Sequence, residues 1–94
     1  MRLQWSGAAT RDLEAVENYI SRDNPSAAID TVLKIIAHVA VLAEHPGMGR
    51  PGRVEGTREL VITGLPYVVP YIHHDDRVVV LRVLQGAMKW PQRP

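Results

Sequence analysis

No cysteine occurs among the 94 residues, so a disulfide framework and a thiolate metal site are both excluded. Long apolar runs are missing too. The longest, Val39-Ala40-Val41-Leu42-Ala43, falls far short of the roughly 20 residues that span a bilayer, and Met1-Arg2-Leu3-Gln4-Trp5 lacks the build of a signal peptide. The expectation is a single cytoplasmic domain over residues 1–94 with no membrane partner. A large charge imbalance is also lacking: net charge is +1, too little for a dedicated nucleic-acid binder. No serine sits in a Gly-x-Ser-x-Gly turn, and the glycine cluster at 47–52 leads into a strand rather than a helix. Neither a serine triad nor a phosphate-cradling loop is therefore expected, and no cofactor is implied.

Charge is unevenly distributed. Residues 1–45 hold four Lys/Arg against six Asp/Glu, whereas residues 46–94 hold seven against four, and six of those seven are arginine. Arginine suits bidentate pairing with carboxylate or phosphate, so an acidic peptide or a nucleic-acid backbone is the natural partner of the second half.

Leu3 and Trp5 alternate with polar neighbours, as in a half-buried strand that Gly7 ends. From about Ala9 the period becomes helical, with Ala9, Leu13, Val16 and Ile20 on one stripe and Tyr19 beside it. Asp12, Glu14 and Glu17 are expected in its first two turns, favoured there by the helix dipole. Asn24-Pro25 reads as a cap plus first-turn proline, opening a second helix to about Glu44 with Ala28, Val32, Ile35, Ile36, Val39 and Leu42 on its apolar side. The short connection makes the two helices an antiparallel hairpin.

Two prolines and three glycines within His45–Arg53 predict an irregular loop. Three strands follow, Arg58–Thr63, Tyr67–His73 and Arg77–Leu84, as an antiparallel meander with a turn at His74-Asp75-Asp76. Arg58, Leu60 and Ile62 share one face of their strand and Glu59 the other. Pro70 interrupts the middle strand, demanding either a bulge or an open edge. The expected fold is α+β, in the order β-α-α-β-β-β, with the helical hairpin on one face of a small, mainly antiparallel sheet and an irregular tail at about 87–94 pinned by Trp90.

His73 and His74 point to opposite faces of a strand and make a poor metal pair, so no metal is expected. The arginines Arg50, Arg53, Arg58 and Arg82 remain, forming either a solvated sheet rim or a basic face for phosphates or an acidic peptide.

Several spaced motifs resemble one family. They are Trp5-Ser6 with Ala8-x-x-x-Asp12-Leu13, the helix start Asn24-Pro25-x-Ala27-Ala28, the run Glu44 to Arg53, Gly56-Thr57-Arg58-Glu59-Leu60, Leu65 to Tyr71, and Leu81 to Pro91. Together they resemble the RelE/ParE superfamily of toxins from bacterial type II toxin–antitoxin systems. The resemblance implies the fold above and a cognate antitoxin whose acidic C-terminal segment wraps the toxin. RelE-like members cut mRNA on the ribosome, and ParE-like members poison DNA gyrase.

RNA cleavage needs an acid–base group and a cationic cluster for the developing charge. Arg58 and Arg82 are candidates for the cationic pair, with Arg50, Arg53 and Lys89 as outer contacts. Many relatives carry histidine where this chain has Gln85, and glutamine has no titrating proton. The departure favours a ParE-like, non-catalytic inhibitor of DNA gyrase. The alternatives are a ribosome-dependent mRNA endoribonuclease using Arg58, Arg82 and Gln85, or an inactive relative that only binds antitoxin. The surface expected to meet target or antitoxin comprises Arg50, Arg53, Arg58, Arg82, Lys89 and Trp90.

Overall fold

Ser6 is where the first strand becomes the first helix. Its hydroxyl accepts the Ala9 amide at 3.0 Å, capping the helix, and donates to the Leu81 carbonyl at 2.8 Å. The computed structural model describes residues 1–86; the Trp90 tail lies outside the described residues. Strand β1 (Arg2–Trp5) leads into α1 (Gly7–Ser21). Asn24 then accepts the Ala27 amide at 3.1 Å and opens α2 (Pro25–Ala40), with proline at the start as expected. A single 3-10 turn at Val41–Ala43 completes the helical stretch, so the regular helix stops short of Glu44 while Leu42 stays buried.

Because Ser6 is the cap, α1 begins two residues before the apolar period suggests, and its first turn holds no acidic residue. The dipole role expected for Asp12 is thereby corrected: its carboxylate has a partner elsewhere. A second correction concerns the loop at 45–53. Arg50–Pro51 forms a two-residue strand, β2, paired with Glu59 and Arg58. Proline is tolerated there because the strand is a sheet edge.

The remaining strands are β3 (Arg58–Val61), β4 (Tyr67–His74), β5 (Arg77–Val80) and β6 (Leu84–Gln85). Their order is β1-β5-β4-β3-β2, with β6 also on β4. Only β1–β5 is parallel. The helical hairpin supplies Ala9, Ile35 and Val39 to a core completed by Leu60, Tyr71 and Val80 among others from the sheet. The result is the expected two-layer α+β arrangement.

Pro70 explains why the last predicted strand is split. The ladder directs its backbone away from β3 and toward the β5–β6 side, where Leu81 donates to its carbonyl at 2.9 Å. The return bond from a Pro70 amide does not exist. Ser6 takes its place on the Leu81 carbonyl. Register then slips by one between Tyr71↔Val80 and Val68↔Leu84, and the Leu81 and Arg82 amides both point at the Pro70 carbonyl, at 2.9 and 3.5 Å, so these two residues together oppose Pro70. This is a β-bulge, located opposite the proline rather than at it. It resets the alternation: Val83 joins the core, and Arg82 turns to α1.

There Asp12 accepts Arg82 Nε at 2.7 Å and Nη2 at 3.0 Å, and also the Val83 amide at 2.9 Å. Exposures of 23% and 18% for the two side chains make this a mostly buried, bidentate pair. On the other side of the molecule, the buried Tyr71 hydroxyl accepts the Gly49 amide at 2.8 Å and donates to the Pro46 carbonyl at 2.7 Å.

Two stability predictions follow from these contacts. Asp12→Asn leaves a guanidinium and an amide short of acceptors and should cost about 2–3 kcal/mol in urea unfolding. An unchanged midpoint would show that the bulge holds without α1. At Gly49, a Cβ would lie 2.7 Å from the Tyr71 hydroxyl and 2.9 Å from the Glu59 carbonyl. Gly49→Ala should therefore destabilise by about 2–4 kcal/mol, and a loss below roughly 0.5 kcal/mol would mean that the loop is not seated on Tyr71.

Candidate functional site

Two clusters carry the polar residues singled out by sequence. The first is a groove of about 370 Å³ between α1 and β6. Asp12, Val16 and Tyr19 line one wall, and Tyr67, Arg82 and Gln85 the other. Hydrogen bonding to Asp12 raises the Arg82 guanidinium above its ordinary value; partial burial opposes this and the Asp12 charge adds to it. Desolvation raises the Tyr67 phenol, with a smaller push from Tyr19. Both groups keep their ordinary neutral-pH forms, an arginine cation and an un-ionised phenol, and neither is tuned to exchange protons near neutrality.

The second cluster surrounds Glu59 on β3. Glu59 is only 3% exposed, although it lies on the strand face turned away from Leu60. Arg50 donates to its Oε1 through Nε at 3.3 Å and Nη2 at 3.1 Å, and the Arg53 amide donates to Oε2 at 3.2 Å. The Arg53 guanidinium is exposed and has no ion pair among the described residues. Gln85 and Gly86 close the cleft on the β6 side.

Arg58 projects toward the glycine-proline loop. Its Nη1 donates to the Gly49 carbonyl at 2.8 Å and more weakly to that of Gly47 at 3.4 Å. The two arginines expected to act as a cationic pair thus bond to different elements, Arg58 to the loop and Arg82 to α1. Arg50, Arg53 and Gln85 do meet, around a carboxylate that the sequence reading did not single out. Lys89 and Trp90 lie outside the described residues. Among the described residues no group of three or more His, Asp or Glu is placed to hold a metal. His74 pairs loosely with Asp75, at 3.7 Å, in the β4–β5 turn.

Glu59, Asp12 and Tyr71 were not chosen from sequence as site or scaffold residues. Asp12 had one visible signal, since it sits three residues after Ala9 at the margin of the apolar stripe. Glu59 had none, because its burial comes from a loop folding back nine residues earlier in the chain.

Comparisons with known proteins agree with this architecture. A family model described as ParE toxin of type II toxin-antitoxin system, parDE, matches residues 3–90. A Sinorhizobium fredii protein named "Putative toxin Y4kP" is 43% identical over 91 residues, covering 97% of this chain and 94% of the relative. The Caulobacter vibrioides protein named "Toxin RelE2" is 35% identical over 83 residues, covering 88% and 92%. Among solved structures, a chain of the chromosomal ParDE toxin–antitoxin system from P. aeruginosa superposes with a TM-score of 0.82 at 30% identity, over 90% of this chain and 95% of that one. With the family model spanning nearly the whole sequence and the fold in agreement, the chain belongs to the ParE toxin family of type II toxin–antitoxin systems.

Proposed function

We propose that this toxin arrests growth by binding DNA gyrase and does not cleave RNA. The observation that carries the reading is the engagement of its arginines. Phosphoryl chemistry needs cationic donors aimed at empty space where charge will develop. Here Arg82 is held bidentate by Asp12, Arg50 by Glu59, and Arg58 by loop carbonyls. Gln85, exposed at the sheet end, offers no proton to a leaving oxygen. Recruiting Arg82 would also leave the mostly buried Asp12 carboxylate without its cation.

As a ParDE-type toxin the chain has an antitoxin partner, and its second helix supports one mode of docking. Ile29, Leu33 and Ile36 are 55%, 58% and 40% exposed, and their spacing of four and three is that of a coiled-coil seam. The stretch Pro25–Ala43 has a mean hydropathy of 1.7 with only 22% of its apolar window buried, more apolar surface than this fold uses. The exposed apolar side chains continue through Val41, Met48 and Val61 around a cleft of about 510 Å³ that Arg50 also lines. An antitoxin helix with an apolar ridge fits the seam, and an acidic extension fits the end near Arg50 and Arg53.

Pulse-labelling of DNA and protein synthesis within minutes of inducing the chain alone tests the target. Early loss of DNA synthesis with translation continuing is expected. Early loss of translation with DNA synthesis spared would overturn the gyrase reading in favour of a RelE-like ribonuclease. For the docking surface, Leu33→Glu should weaken antitoxin binding by roughly 10- to 100-fold in calorimetry while leaving the unfolding midpoint in place, because Leu33 contributes little to the core. An unaltered affinity would place the antitoxin on another face.

A further inference from the structure

We propose that Glu59 is an internal anion filling a ready-made phosphate cradle, and that its carboxylate keeps this face of the sheet from holding a phosphate group. The donors around it are the reason. A guanidinium presents Nε and Nη2 to one oxygen, and a backbone amide serves the other. That set recognises a phosphate as readily as a carboxylate. An arginine so disposed on a toxin surface would ordinarily be free to meet phosphates from outside, but here the chain supplies the anion itself.

The cradle is fixed before any ligand arrives. Arg50 lies on β2 directly across from Glu59. The Gly52 amide donates to the Thr57 carbonyl at 2.8 Å, and Thr57 leaves no room for a side chain at Gly52. The Arg53 amide therefore has a set direction and does not depend on Glu59 to acquire it. The exposed Arg53 side chain, Gln85 and Gly86 stand around the same cleft, whose free space of about 20 Å³ holds no more than a water. Removing the carboxylate would both open that space and release the donors.

The inference gives the non-catalytic reading a structural cause, and rests on it only for its biological meaning. A phosphate titration involves neither gyrase nor RNA cleavage, so either statement can fail without the other. The experiment is calorimetric titration of the full-length chain with inorganic phosphate, each variant being checked for its fold by near-ultraviolet circular dichroism. Glu59→Ser should bind phosphate roughly 10- to 100-fold more tightly than the parent chain. Adding Arg50→Ala to it should erase the gain. Glu59→Gln keeps the bulk and removes the charge, and should show a smaller gain in the same direction, which carries the test if the serine variant fails to fold. In the parent chain, Arg50→Ala should leave phosphate affinity unchanged, because the cradle is already full. A loss of phosphate binding on that single substitution, or no gain in the folded Glu59 variants, overturns the proposal.

Discussion

One missing N–H organises much of this fold. Pro70 sits in the longest strand and can accept from β5–β6 but cannot donate to it. An orphaned buried carbonyl costs on the order of 1–3 kcal/mol, so the chain has to find Leu81 another donor. It uses Ser6, the same residue that caps α1. The strand cannot continue in register past that point, and the bulge at Leu81–Arg82 follows. A bulge turns one side chain out of its expected direction, and here Arg82 turns to Asp12. The end of β1, the start of α1 and the segment between β5 and β6 are thus joined through one missing donor.

A second centre lies on the opposite flank, where β3 and β4 hold the glycine-proline loop. Tyr71 reaches it from the core face through its hydroxyl, Arg58 through its guanidinium, and Glu59 from the outer face through its carboxylate. Polar groups of the sheet are directed to loop backbone that no regular ladder would satisfy. The loop is therefore a rigid feature of the surface. The same contacts explain why Arg50 and Arg58, which composition marks as part of a basic face, serve mainly to shape it.

Much of the architecture is legible from local signals. Asn24-Pro25 marks the hairpin bend, the apolar spacing of α2 gives its buried side, and the strands around Tyr67–His74 and Arg77–Val80 follow from β-branched content and the Asp75-Asp76 turn. Pro70 announces a defect, although only the register shows which strand absorbs it. The side-chain pairs are not legible. Asp12 and Arg82 are 70 residues apart, and nothing periodic near either residue records the other. The exposed seam at Ile29, Leu33 and Ile36 was also hidden, since a helix apolar on two sides reads in sequence as a broad core-facing one. Sequence alone assigned Ile36 to the core, where the structure leaves it outward.

These pairings change what the charge distribution means. The second half of the chain has an excess of cations by count, but Asp12 neutralises Arg82 from the first half and Glu59 neutralises Arg50 from within. Arg58 keeps its charge while its donors are directed inward. Among the described arginines of this region, Arg53 and Arg77 are exposed and have no ion pair, and Arg77 lies apart from the glycine-proline loop, beside the β4–β5 turn. A partner's acidic segment therefore meets a weaker field than composition suggests, and screening reduces it further at physiological salt. Charge of this kind steers an encounter and sets its orientation more than its strength. Tight binding then has to come from apolar burial, and the α2 seam with its adjoining cleft is the surface that offers it.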